Sequence, residues 1–149
     1  MSTLADPAIQ SRCCERLARI DPAKPPQWGR MHAHQMVCHL NDSFRVGMGE
    51  RSASSVANLF TRTVMKWAAL HTKVKWPKGV KTMPEVEQGI GGTPPVNWER
   101  DRAELRALIL TFPKQKSFGP HPIFGRMTQR EWMVWGYRHV DHHLRQFGV

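Results

Sequence analysis

Apolar residues recur at three- and four-residue intervals in almost every segment of this chain. No segment alternates apolar and polar residues in the way that a half-buried β-strand does. The first segment shows the helical pattern clearly, with a stripe that consists of Ile9, Cys13, Leu17 and Ile20. Asp6 stands before Pro7 at its start, an arrangement that helices favour. The pattern therefore predicts an all-α protein.

Five helices are predicted from this periodicity and from the residues that start and stop helices. They cover residues 6–20, 31–46, 54–71, 97–112 and 128–147. Residues 76–95 are rich in proline and glycine and are predicted to form a long crossover loop. The length of 149 residues favours a single domain over residues 1–149. The predicted architecture is a four-helix bundle with one long crossover and one extra short helix.

The third predicted helix has an apolar stripe of the kind found on amphipathic helices. Its members are Val56, Leu59, Phe60, Thr63, Val64 and Trp67. The last helix opens with Thr128 and Glu131 at the spacing of a capping box, in which each side chain binds a free backbone N–H. Gly148 follows the last helical residue and is expected to end this helix.

The net charge of +10 limits the kinds of partner that the chain can attract. Residues 51–84 contain seven Lys or Arg and no acidic residue. Such a segment fits nucleic acid, an anionic membrane surface, an anionic small substrate, or simply a solvated basic face. No helix-turn-helix, zinc-finger or RNA-binding motif accompanies it, so nucleic acid is the weaker of these readings.

Cysteine usage and hydropathy point to a cytoplasmic protein. The three cysteines are Cys13, Cys14 and Cys38, an odd number with two adjacent, which is not a disulfide framework. No apolar run approaches the length of about 20 residues that is needed to cross a bilayer. The N-terminus has no apolar signal core, so no secretory signal is predicted.

The C-terminal sequence YRHVDHHLRQFGV contains three histidines within five positions. On a helix, each residue advances about 100° around the axis. His139 and His143 then point towards the bundle interior, whereas His142 lies on the flank. Residues four apart stack on one helix face, so two imidazoles at these positions can converge on one metal ion.

The second helix adds a third inward imidazole. His39 lies on the inner face with Met36, Leu40 and Ser43, and the predicted outer arc contains His34, Cys38, Asn41 and Arg45. Every buried imidazole needs partners for one donor and one acceptor. A metal ion bound by His39, His139 and His143 satisfies three acceptors at once, which favours a metal site over a hydrogen-bonded histidine cluster.

Several further residues have two readings at the level of sequence. Asp42 is either a partner that orients a ligand imidazole or a surface carboxylate. Ser43 is either a pocket hydroxyl or a small packing residue, and His121 is either a further ligand or proton donor or a residue of a rigid loop. Trp132, Trp135 and Tyr137 either wall a substrate pocket or belong to the core. His142 is a proton shuttle, an orienting partner or a solvated neighbour.

The segments QMVCHLNDS and HVDHHLRQF resemble the DinB/YfiT-like metal-binding superfamily, and residues 121–148 resemble one of its subgroups of unknown function. The resemblance implies an up-down-down-up four-helix bundle that binds one divalent metal, zinc or nickel, through three histidines. By position these are His39, His139 and His143. A Ser or Thr is expected to open the second helix, and His32 stands there instead.

The resemblance also implies an activity. Members of the superfamily with known activity are mostly transferases or isomerases that use low-molecular-weight thiols such as bacillithiol, mycothiol or glutathione. The leading hypothesis is therefore metal-dependent thiol transfer to a small-molecule electrophile, with hydrolysis as a close variant, and a homodimer is expected. The rival hypothesis is a binding module for nucleic acid or an anionic membrane with a structural metal. Its contact residues are Arg62, Lys66, Lys73, Lys75, Lys78 and Lys81, with Trp67 and Trp76 nearby.

Overall fold

The computed structural model describes all 149 residues and contains five α-helices and no β-strand. The helices are α1 (Pro7–Ala18), α2 (Ala33–Met48), α3 (Lys66–His71), α4 (Trp98–Thr111) and α5 (Gln129–Gln146). A π-helical turn, Thr61–Met65, leads directly into α3, and short 3-10 turns occupy Pro84–Val86 and Phe112–Lys114. The all-α prediction is confirmed, whereas the up-down-down-up order of the helices stays a prediction.

Helix starts follow the local sequence closely. Asp6 accepts a hydrogen bond from the Ala8 N–H at 2.9 Å and caps α1. Thr128 and Glu131 form the predicted capping box of α5. His32 takes the place of a Ser or Thr cap at α2, because its Nδ1 accepts a hydrogen bond from the Gln35 N–H at 3.3 Å. The imidazole therefore caps the helix at this position in place of a hydroxyl.

The core joins all five helices into one cluster of buried apolar side chains. Each helix contributes at least one member, for example Leu17, Phe44, Leu70, Leu105 and Val140. Helices α1 and α2 each pack against both α4 and α5, and α3 packs against α5. None of the helices combines the length and apolar character needed to cross a bilayer.

The predicted outer arc of α2 is not exposed. Cys38 and Asn41 are each only 2% exposed, because α4 covers this face. The amide of Asn41 donates to the Asp101 carbonyl at 3.0 Å, and the His34 imidazole pairs with the Asp101 carboxylate at 2.8 Å. The prediction that these polar residues face water was wrong, since polar contacts to α4 replace the solvent.

The third predicted helix begins later than expected. Residues 52–58 are not helical, and their backbone groups bond to other loops instead of to each other. The Val56 N–H donates to the Pro122 carbonyl at 2.9 Å, and the Ser54 N–H donates to the Glu85 carboxylate at 2.7 Å. The apolar stripe of this segment is largely exposed, which is opposite to the usual placement of such a stripe.

Candidate metal centre

Helices α2 and α5 bring His39, His139 and His143 together, as the helical wheel predicted. One ring nitrogen of each lies within 4.8 Å of the others. The Nε2 atoms of His39 and His139 are 3.2 Å apart. The ring of His143 lies 4.9 Å from that of His39 and 5.0 Å from that of His139, measured between centroids. Residues 100 positions apart in the chain thus share one small volume.

The loop after α3 fixes the tautomer of His39. Its Nδ1 lies 2.9 Å from the Val86 carbonyl oxygen, which can only accept a hydrogen bond. The proton of the neutral imidazole is therefore on Nδ1, and the lone pair is on Nε2. That lone pair points towards His139, which is the direction in which a metal ion shared by the two rings would lie.

A similar hydrogen-bond partner fixes the tautomer of His143. Its Nδ1 lies 2.8 Å from the side-chain oxygen of Gln146, one turn further along α5. The amide nitrogen of Gln146 donates to the Trp28 carbonyl at 2.8 Å, which sets the orientation of the amide. Nδ1 of His143 is consequently the donor, and its Nε2 carries the free lone pair.

These distances fit a divalent metal ion. Two imidazole nitrogens bound to tetrahedral zinc at about 2.0–2.1 Å lie about 3.3 Å apart. The 3.2 Å between His39 and His139 is close to this value. Nδ1 of His139 is buried without a hydrogen-bond partner, and an ion bound at Nε2, the atom that faces His39, would not provide one. The donor set of three neutral nitrogens is one that zinc and nickel accept.

Burial keeps the three imidazoles neutral. It lowers the pKa of His39, because removal from water penalises the charged ring. Burial lowers the pKa of His139 and His143 well below the ordinary value, and repulsion from the neighbouring imidazoles adds to the effect. All three rings are therefore neutral at neutral pH, which is the form that binds a metal.

Asp42 has neither of the roles considered for it from sequence. It is fully buried, so it is not a surface carboxylate, and its contacts go to the crossover loop, Arg45 and Arg51 instead of to an imidazole. Its two oxygens accept bonds from the backbone N–H and the hydroxyl of Thr93, each at 2.7 Å. Asp42 thereby anchors the loop segment that carries Val86, the partner of His39.

A cavity of about 820 Å³ opens beside the three histidines, which form part of its wall. Ser43, His121 and His142 also line it, so each faces the candidate site. Trp132 and Trp135 belong to the core and also line the cavity, whereas their part in binding a substrate stays a prediction. Tyr137 packs against the core and does not line the cavity.

A second group of ligand-type side chains lies between α2 and α4. His34, Cys38 and Asp101 each offer an atom within 4.8 Å of the others. Hydrogen bonds explain this cluster without an ion, because the Asp101 carboxylate accepts from the His34 ring at 2.8 Å and from the Cys38 thiol at 3.7 Å. Burial raises the pKa of the Cys38 thiol to about 12, so it remains a donor.

Three contributors to the site were missed by reasoning from sequence. Val86 supplies a backbone carbonyl, which leaves no trace in a sequence pattern. Gln146 lies three residues after His143, a spacing that places it on the same helix face and was available as a signal. Glu87 lines the cavity from the crossover loop, a segment in which no site residue was predicted.

The fold and the site define an all-helical protein in which three buried histidines from two helices form a candidate metal centre beside a cavity. Residues 10–148 match the family described as protein of unknown function DUF1569, and the chain belongs to that family. No curated protein and no solved structure matches the chain significantly.

Replacing Gln146 with leucine is expected to lower the affinity for zinc or nickel about 10–100-fold, because the Nδ1–H of His143 loses its acceptor. Gln146→Glu keeps an acceptor oxygen for His143 but places its second oxygen against the Trp28 carbonyl, so it is expected to retain only part of the affinity. Gln10→Leu removes a hydrogen bond to the Leu4 carbonyl far from the site and serves as the control. Calorimetric titration measures all three variants, and equal affinity in Gln146→Leu and the wild type contradicts the assigned role.

Proposed function

We propose that the protein is a metal-dependent enzyme of the DinB/YfiT-like type that transfers a low-molecular-weight thiol to a small electrophile. The main observation in support of this proposal is that His39, His139 and His143 converge at the wall of a cavity. Its volume of about 820 Å³ lies within the range of about 300–1,000 Å³ that is usual for small-molecule sites. Mutual packing of α1, α2, α4 and α5 supports the bundle expected for this type.

Three protein ligands leave at least one coordination position open, as in catalytic rather than structural zinc sites. A divalent ion held there supplies Lewis acidity, which lowers the pKa of a thiol or water and polarises an electrophile. The chain's own contribution is to hold three neutral imidazoles in place. The Val86 carbonyl and the Gln146 amide achieve this by fixing the tautomers of His39 and His143.

The cavity suits a charged thiol together with an apolar reaction partner. Arg30 and Lys81 line it and supply positive charge for the carboxylates of a peptide-like thiol. Trp28 and Trp76 line it as well and offer flat apolar surfaces to the electrophile. This combination favours the thiol reaction over hydrolysis, which requires no second binding region.

Glu87 is the side chain that can take up the thiol proton. In the proposed reaction the S–H proton passes to a carboxylate or to solvent, the sulfur forms a bond to the electrophilic carbon, and the leaving group departs with the bonding electron pair. Glu87 is the carboxylate among the cavity-lining residues, and it is partly exposed. The step balances without an oxidant or reductant.

His121 is suited to donate a hydrogen bond to the substrate. Its Nδ1 accepts hydrogen bonds from the N–H groups of Ile123 and Phe124, each at 3.1 Å. Burial lowers the pKa of His121 to about 3, so the ring is neutral and its one proton is on Nε2. We assign to that N–H the role of a donor that orients an oxygen of the substrate or stabilises charge on it.

The activity test uses the purified protein with zinc or nickel, glutathione or bacillithiol, and an aryl halide or epoxide. We expect turnover that His139→Ala reduces about a hundredfold or more, that chelation abolishes, and that added metal restores. Val96→Ser, at an exposed site outside the cavity, is the control and is expected to keep full activity. Ester hydrolysis that needs no thiol would support the hydrolase instead, and activity that survives both His139→Ala and chelation would refute the proposal.

A further inference from the structure

Large apolar side chains are exposed along one surface of the segment that ends in α3. The exposed fractions are 53% for Val56, 80% for Leu59, 58% for Phe60, 54% for Val64 and 60% for Trp67. Positions 60, 64 and 67 follow one another at intervals of four and three, so these side chains share one face of the helix. Single exposed apolar residues are ordinary, but a contiguous set marks an interaction surface.

The opposite face of the same segment is already occupied. Leu70 is buried in the core, and Thr61 is only 9% exposed. Met65 and Ala69 line the cavity beside the histidines. The segment cannot rotate to bury Phe60 and Trp67 without exposing Leu70 and Thr61, so the apolar surface is fixed facing outwards.

Basic residues lie within and after this apolar segment along the chain. The seven basic residues between positions 51 and 84 have no acidic residue among them. Lys66 forms a salt bridge with Glu131, and Arg51 forms one with Asp42. The others form no salt bridge within the protein, namely Arg62, Lys73, Lys75, Lys78 and Lys81. Lys81 lines the cavity and Lys78 lies 4.4 Å from the centroid of the Trp28 ring, so Arg62, Lys73 and Lys75 are the cations that this surface can offer to a partner.

We propose that this surface, made of the outward side chains of residues 56–75, docks onto an anionic lipid bilayer. Leu, Phe and Trp on one helix face are typical of helices that lie in the membrane interface, and Lys73 and Lys75 follow in the loop after α3. The apolar residues enter the acyl boundary, and the lysines meet the anionic headgroups. No membrane-spanning helix is needed for this type of binding.

Other occupants fit the same surface less well. A second copy of the chain would bring two segments of the same positive sign together, which electrostatics disfavours. Nucleic acid would neutralise the lysines but would leave Leu59, Phe60 and Trp67 exposed to water. Of these three occupants, the bilayer is the one that satisfies both the charge and the apolar area.

This inference goes beyond the proposed function, because lipid binding requires no metal and no thiol. It also places the cavity relative to the membrane surface. The segment whose outer face carries Phe60 and Trp67 contributes Met65 and Ala69 to the cavity wall. Docking therefore holds the candidate metal centre next to the membrane surface, where apolar electrophiles concentrate.

Sedimentation with vesicles tests the proposal on the full-length protein. Vesicles of phosphatidylcholine with about one third phosphatidylglycerol are expected to bind the protein, and pure phosphatidylcholine vesicles are expected to bind it at least tenfold more weakly. Phe60→Ser and Trp67→Ser should each reduce binding about tenfold or more, because each removes a side chain that becomes buried. The double variant Lys73→Gln, Lys75→Gln should reduce binding by more than about tenfold.

Matched variants on other surfaces complete the test. Val96→Ser changes a side chain that is 74% exposed outside the segment, and Lys24→Gln with Lys116→Gln makes the same charge change elsewhere. Both controls are expected to bind the anionic vesicles nearly as well as the wild type. Three results would overturn the proposal: no vesicle binding, equal loss in the controls, or a dimer or a DNA complex that Trp67→Ser disrupts while vesicle binding is unaffected.

Discussion

The variant His143→Ala is expected to lose most of the stabilisation that zinc or nickel gives the wild-type protein. An ion present at about one hundred times its dissociation constant raises the free energy of unfolding by about 2.7 kcal/mol. Structural zinc sites bind with about 10–16 kcal/mol over four ligands, so one ligand accounts for about 3 kcal/mol, or roughly a hundredfold in affinity. At the same ion concentration, His143→Ala should gain only about 0.4 kcal/mol.

Thermal or chemical unfolding with and without the ion measures this difference. His142→Ala is the matched control, since it removes an adjacent imidazole that lies outside the three-histidine group. It should keep nearly the whole stabilisation. Equal stabilisation of His143→Ala and the wild type would contradict the assignment, and so would a larger loss in His142→Ala than in His143→Ala.

Asp42→Ala is expected to lower the free energy of unfolding by about 3 kcal/mol and to release the loop that carries Val86. The carboxylate is fully buried, and its loss leaves the Thr93 N–H and hydroxyl without their acceptor. An unpaired buried donor costs about 1–3 kcal/mol, and hydrogen bonds to a charged group are at the upper end. Denaturant unfolding measures the stability, and hydrogen exchange of residues 86–93 measures the release of the loop.

Asp141→Ala provides the comparison for Asp42→Ala. Asp141 pairs with Arg16 at 2.7 Å, but both side chains are about one fifth exposed. Such pairs contribute only about 0.2–1 kcal/mol. If Asp42→Ala is no less stable than Asp141→Ala and exchange in residues 86–93 is unchanged, Asp42 does not anchor the loop.

Much of the helical framework was predictable because its determinants are local. The Asp6 cap, the capping box of Thr128 and Glu131, and the left-handed Gly49 that ends α2 are all encoded within a few residues. The inward face of α5 was predictable for the same reason. Its charged residues mark the side away from the core, and His139 and His143 lie opposite them.

The sequence pattern failed where tertiary contacts decide the structure. The stripe from Val56 to Trp67 has the spacing of a buried helix face, yet it is exposed. Spacing reports that apolar residues share a face and cannot report what covers that face. The prediction that the outer arc of α2 faces water was wrong for the opposite reason. Asn41 and Cys38 are polar or small, and they still lie buried against Asp101 of α4.

The partners of the ligand candidates were the least predictable part of the site. A backbone carbonyl such as that of Val86 can come from any residue type, so no sequence pattern marks it. Asp42 determines its position through Thr93, 51 residues away. Second-layer contacts of this kind depend on the path of the crossover loop, which proline and glycine make irregular.

The most direct measurement is the metal content of the protein purified without a histidine tag, beside the variants His39→Ala and His139→Ala. The account predicts about one zinc or nickel ion per wild-type chain and almost none in either variant, with the helical circular dichroism spectrum unchanged in all three. A wild-type protein that does not take up one equivalent of either ion, or variants that keep the full amount, would contradict the three-histidine centre.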